Sequence, residues 1–130
     1  MKKFTWLILA VLFASNAFAV NLKQLKVQTR SGLASVLVLE NGMTLYVFDP
    51  DQGRPAPACA ADCAEKWPPI LLTPEEEANL KIPGLGSIKR ANGLSQLTYK
   101  GRPLYTYFAD RIPGHAKGDG LGNVWHVALP

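Results

Sequence analysis

Gly42-Met43-Thr44-Leu45-Tyr46-Val47-Phe48-Asp49-Pro50-Asp51 and Gly101-Arg102-Pro103-Leu104-Tyr105-Thr106-Tyr107-Phe108-Ala109-Asp110 are one pattern written twice, 59 positions apart: G-x-x-L-Y-x-aromatic-x-x-D. A tryptophan entering an apolar run follows each copy, Trp67 at 21 residues from Tyr46 and Trp125 at 20 residues from Tyr105. Two copies of one supersecondary unit imply a pseudo-symmetric domain. Upstream of the first copy, Ser35-Val36-Leu37-Val38-Leu39-Glu40 alternates Val and Leu and runs into Asn41-Gly42, the turn dipeptide that most strongly signals a hairpin. Its counterpart is Leu94 to Tyr99, Lys100-Gly101 and Arg102 to Phe108; a further Asn92-Gly93 turn joins Ser87–Arg90 to it as a three-stranded meander. The expected fold is therefore mainly β, with two pseudo-repeated antiparallel hairpin or meander halves forming one small domain.

Between the halves, one or two short helices are expected. Residues 59–66 lack Gly and Pro and stop at Pro68-Pro69, which cannot donate the next backbone bonds. Thr73-Pro74-Glu75-Glu76-Glu77 reads as an N-cap, a proline at the first helical position and carboxylates suited to the positive end of the helix dipole. The stretch Arg111 to Asn123 is glycine-rich and reads as a long loop, a kind of segment that often carries function.

The chain has 130 residues, 14 Lys/Arg against 10 Asp/Glu, and a charged fraction of 18%, below the roughly 25% usual for globular domains. That balance excludes a charge-driven disordered protein, and 11 Gly with 10 Pro argue against long helices. Lys2 and Lys3, the apolar run Phe4 to Ala14 and Ala17-Phe18-Ala19 form the three regions of an export signal, with cleavage expected after Ala19. The apolar run is shorter than the ~20 residues that span a bilayer. Residues 20–130 are then one periplasmic or secreted domain, with repeat 1 at about 33–72 and repeat 2 at about 88–130. Loss of Lys2 and Lys3 lowers the formal charge from +4 to +2, so neither nucleic-acid binding nor a polybasic membrane patch is expected.

The motifs YVFDPD (Tyr46 to Asp51) and YTYFAD (Tyr105 to Asp110), the segment CAADCAEKWPP and the closing NVWHV resemble the bacterial secreted-repeat family, predicted lipoproteins with a Y-x-(F/W/Y)-x-x-D motif. The likeness covers about Leu33 to Pro130. It implies an exported repeat of unknown function. Many members of that family carry a lipobox cysteine; here the cysteines are Cys59 and Cys63, which favours a free periplasmic protein over a stable membrane anchor.

An even cysteine count in an exported chain points to a Cys59–Cys63 disulfide. A Cys/His metal site would draw on Cys59, Cys63, His115 and His126, although the histidine spacing matches no known ligand pattern; no other cofactor is expected. Asp51 and Asp110 hold equivalent places, so a pseudo-dyad bringing them together would make an acid/base pair or a cation site. Each is also followed shortly by glycine, and the simpler expectation is a carboxylate accepting amide hydrogens at a turn. Tyr46 and Phe48, like Tyr105 and Tyr107, share a sheet face by period-two spacing, with Leu45 and Leu104 on the other. Burial in a small core is the first expectation for them; with Trp67 and Trp125 they are also the candidate ligand platform. No nucleophile elbow or phosphate loop is present, so no catalytic residue is assigned. The leading expectation is a non-enzymatic binding or interaction module with a periplasmic or cell-envelope partner. A metal-binding or thiol-redox protein and a carboxylate-based enzyme are the alternatives.

Overall fold

The computed structural model describes residues 25–29, by their backbone, and 35–130; the expected signal peptide lies outside the described residues. In chain order the strands are β1 (Leu25–Thr29), β2 (Ser35–Leu39), β3 (Tyr46–Phe48), β4 (Leu71–Leu72), β5 (Leu85–Lys89), β6 (Ser95–Tyr99), β7 (Arg102–Pro103) and β8 (Trp125–Val127). Two short helices, α1 (Asp62–Lys66) and α2 (Pro74–Ala78), lie between the copies, and the described residues are mainly antiparallel β.

Local chemistry sets the start of α2 and the end of α1. Thr73 Oγ1 accepts the Glu76 amide at 3.1 Å while Glu76 Oε1 accepts the Thr73 amide at 3.4 Å, a reciprocal capping box ahead of Pro74. Helix α1 ends at Lys66, with Trp67 between it and Pro68-Pro69. The meander forms as expected, with β6 paired to β5 on one side and to both β4 and β7 on the other. Its β6–β7 turn places Lys100 at φ 48 and Gly101 at φ 79, the left-handed pair that a two-residue hairpin connection requires.

The hairpins expected from the sequence are cut short. After the Asn41-Gly42 turn the chain stays with β2 through the Val38–Thr44 bridge, with Leu39 N–H donating to the Met43 carbonyl at 2.9 Å and Leu45 N–H to the Leu37 carbonyl at 3.1 Å. It then leaves: β3 pairs with β8 from the other end of the chain, Phe48 opposite Trp125. The second copy does likewise, since β7 stops at Pro103 and Tyr105 exchanges both backbone bonds with Tyr46, at 2.8 and 3.0 Å. A lone two-stranded hairpin is marginal in water, and the aromatic motif faces lose water only where the copies cross.

Period-two alternation through the crossing strands sorts the side chains into two cores. Leu45, Val47 and Leu104 point into one, with Leu37, Ile70, Leu72, Leu97 and Ala128. Tyr46 and Tyr105 point into the other, with Cys59, Trp67 and Trp125, and Phe48 and Tyr107 pack against its edge. The long loop closes over the first turn, where Thr44 Oγ1 donates to the His115 carbonyl at 2.6 Å. Gly42, at φ +84, admits Pro113 so closely that a Cβ there would lie 2.8 Å from the proline ring.

Candidate functional site

The repeated motif builds a crossed latch. Tyr46 Oη of the first copy donates to Asp110 Oδ2 of the second at 2.5 Å, and Tyr105 Oη of the second donates to Asp51 Oδ2 of the first at 2.7 Å. The other carboxylate oxygens are capped equivalently, each by the amide seven residues on: Ala58 N–H to Asp51 Oδ1 at 2.7 Å and Lys117 N–H to Asp110 Oδ1 at 2.9 Å. The two phenols are fully buried and the two aspartates nearly so. Burial first, and then the carboxylate each one faces, push both phenols well above the ordinary tyrosine range, so they stay protonated donors.

The remaining motif rings form a column through the second core. Trp67 and Trp125 stack at 3.7 Å with planes 2° apart. Phe48 covers the outer face of Trp125 and Tyr107 that of Trp67, both at 4.2 Å. This arrangement too is crossed, because each tryptophan is covered by the other copy's ring. Tyr46 meets Trp67 edge-on at 5.3 Å and Tyr105 meets Trp125 likewise at 5.1 Å, the geometry that ring quadrupoles favour.

Of the residues expected to form a site, the structure brings Tyr46, Phe48, Asp51, Trp67, Tyr105, Tyr107, Asp110 and Trp125 into this single assembly. Within it Phe48 and Tyr107 are half-buried and reach toward solvent, whereas the other six are buried. The carboxylates face phenols rather than each other, and amide capping of both aspartates is as the turn reading anticipates. Cys59 and Cys63 form the disulfide, with Cys59 fully buried against the tryptophans. That pairing removes both thiolates from the Cys/His metal set. His126 instead meets Asp49 Oδ2 at 2.8 Å, and His115 Nδ1 accepts the Arg111 amide at 3.2 Å. Among the described residues no group of three or more His, Cys, Asp or Glu converges as a metal site would require.

Two participants escape a sequence reading. Arg90 is buried, donating from Nη1 to Gln96 Oε1 at 2.7 Å and from Nη2 to the Cys59 carbonyl at 2.6 Å, and Gln96 Nε2 donates to the Leu104 carbonyl at 2.9 Å. They hold the disulfide segment against the meander. Gln96 stands where the first copy has Leu37, so a polar residue at a core-facing repeat position is the one signal available. The second is the half-buried pairing of Asp49 Oδ1 with Arg102 Nη2, at 3.2 Å.

Fold and latch define a class: a mainly β protein of two repeats, each completed by a tyrosine, an aspartate and a ring from the other. The family model described as a secreted repeat of unknown function matches residues 30–70 and 86–129, and the chain belongs to that family. No curated protein and no solved structure matches the chain. Among the described residues no helix is long and apolar enough to cross a membrane.

Proposed function

We propose that this secreted repeat is a non-enzymatic binding module, working in the periplasm after removal of residues 1–19 as a signal peptide. The latch residues serve as its scaffold. Its contact face lies at the Tyr107 end of the ring column, beside the loop 111–123. The observation that supports this reading is Phe108. It stands where the first copy has Asp49, packs edge-on to half-buried Tyr107 at 5.1 Å and leaves 52% of its surface in water. An exposed aromatic ring is an anchor type typical of interface hot spots, and the partner is a component of the periplasm or cell envelope. Co-sedimentation of the purified protein with isolated peptidoglycan and with outer-membrane fragments tests this. Wild type should pellet with one fraction and Phe108→Ala should stay in the supernatant with its melting temperature unchanged. Equal pelleting of both proteins, or none of either with both fractions, rejects the face.

A further inference from the structure

The two copies treat their turns differently, and the difference leaves a groove. At the first turn Pro113 fills the space against Gly42. Its repeat equivalent is Arg54, which stands opposite the second turn, where a Cβ built on Gly101 would meet nothing within 4 Å. The unfilled space is an open groove of about 250 Å³ between residues 51–54 of the first copy and residues 100–103 of the second. Its cations are Arg54, Lys100 and Arg102, and its acidic residue is Asp51.

That carboxylate already accepts the Tyr105 hydroxyl and the Ala58 amide. Arg102 spends a donor on Asp49, one of the five a guanidinium offers. Lys100 lies 5.4 Å from the Tyr99 ring centroid, and among the described residues neither it nor Arg54 has a carboxylate partner. Counting Asp49 with Asp51, three cations face two carboxylates that already have partners, and two guanidiniums and an ammonium around one groove suit a tetrahedral oxyanion.

We infer that the groove between the Asp51–Arg54 turn and the Lys100–Pro103 turn binds a phosphoryl group, held by Arg54, Lys100 and Arg102. This site is separate from the Phe108 face and does not depend on it. A phosphoryl group reaches an exported protein either on a free phosphorylated small molecule or on a lipid headgroup, and the chemistry at the groove is the same.

Amide NMR titration of the full chain with inorganic phosphate and with glycerol 1-phosphate, at fixed ionic strength in chloride, provides one arm. Co-sedimentation with phosphatidylglycerol vesicles, against phosphatidylcholine vesicles, provides the other. Both are repeated on Arg54→Gln/Lys100→Gln, two exposed positions outside both cores. Saturable shifts at the Gly53, Arg54 and Gly101 amides, weakened at least tenfold in the double variant, establish the site and point to a free ligand. Vesicle binding that needs phosphatidylglycerol and is lost in the variant establishes it with a headgroup as ligand. The inference is overturned by no saturable shift together with no vesicle binding, or by wild-type binding in a variant whose amide spectrum is otherwise unchanged.

Discussion

The two crossings of the latch make the same bonds in different surroundings. Around Tyr105 and Asp51 lie the disulfide, the buried Arg90 and Gln96. Around Tyr46 and Asp110 the same space holds Gly118, whose amide donates to Tyr46 Oη at 3.3 Å. Gly118 is the repeat equivalent of Cys59. A Cβ at Gly118 would lie 2.6 Å from the Trp67 ring, so the second copy leaves out the side chain where the first supplies a half-cystine. The motif therefore fixes the bonds that join the copies, and each copy reaches the same packing around them by its own means. Away from the cores the copies differ at two further positions that the fold leaves to solvent or loop contact: Pro113 against Arg54, and Phe108 against Asp49.

The largest expected effect breaks the latch outright. Tyr46→Ala and Tyr105→Ala each remove a fully buried ring and should cost about 3–5 kcal/mol, the usual range for large aromatic truncations. Because each tyrosine binds the other copy's aspartate, either change should loosen both copies at once. Urea unfolding followed by far-UV circular dichroism and by tryptophan fluorescence should give coincident curves. Two separated transitions would show that the copies stand independently, contrary to the crossed bonding.

A smaller effect tells the crossings apart. Asp110→Ala strands the Tyr46 hydroxyl and the Lys117 amide and should cost about 1–3 kcal/mol, the range for a buried group left unpaired. Asp51→Ala strands the matching pair and also removes a negative charge from the neighbourhood of Arg90, whose hydrogen-bond partners are neutral. It should be the costlier of the two. Equal costs for the two aspartates, read from urea midpoints at constant slope, would mean that Arg90 draws no stabilisation from Asp51.

Much of this was legible before any coordinate. The repeat, the meander, the N-cap at Thr73, the disulfide and the sorting of Leu45 from Tyr46 all follow from local rules: turn dipeptides, capping residues, period-two alternation and cysteine count. The exchange of partners did not, because a strand's pattern says which face it buries and not which strand it lies beside. Tyr46 reads the same whether its neighbour is β2 or Tyr105. The pairing of each motif tyrosine with the other motif's aspartate is equally silent, since both contacts join residues more than fifty positions apart. Phe48 and Tyr107 hold equivalent repeat positions, and each covers the other copy's tryptophan.

The smallest expected effect belongs to the position where the copies differ in kind, Asp49 against Phe108. Hydrogen bonding to His126 first, and then Arg102, holds the Asp49 carboxyl below its ordinary range. A carboxyl with a depressed folded pKa contributes stability above its unfolded value of roughly 3.9, and the contribution is lost as pH falls through the folded value. The pair is more than a third exposed on both sides and so is screened by salt. Asp49→Asn should therefore melt slightly below wild type near pH ~5 at low salt, and the gap should close as the pH is lowered through the Asp49 carboxyl's own titration. Added salt should also narrow the gap at the higher pH. A gap that persists unchanged to low pH would mean that Asp49 acts through packing and not charge. In that case positions 49 and 108 would differ only in shape, and the acidic partner of Arg102 would no longer distinguish the two copies electrostatically.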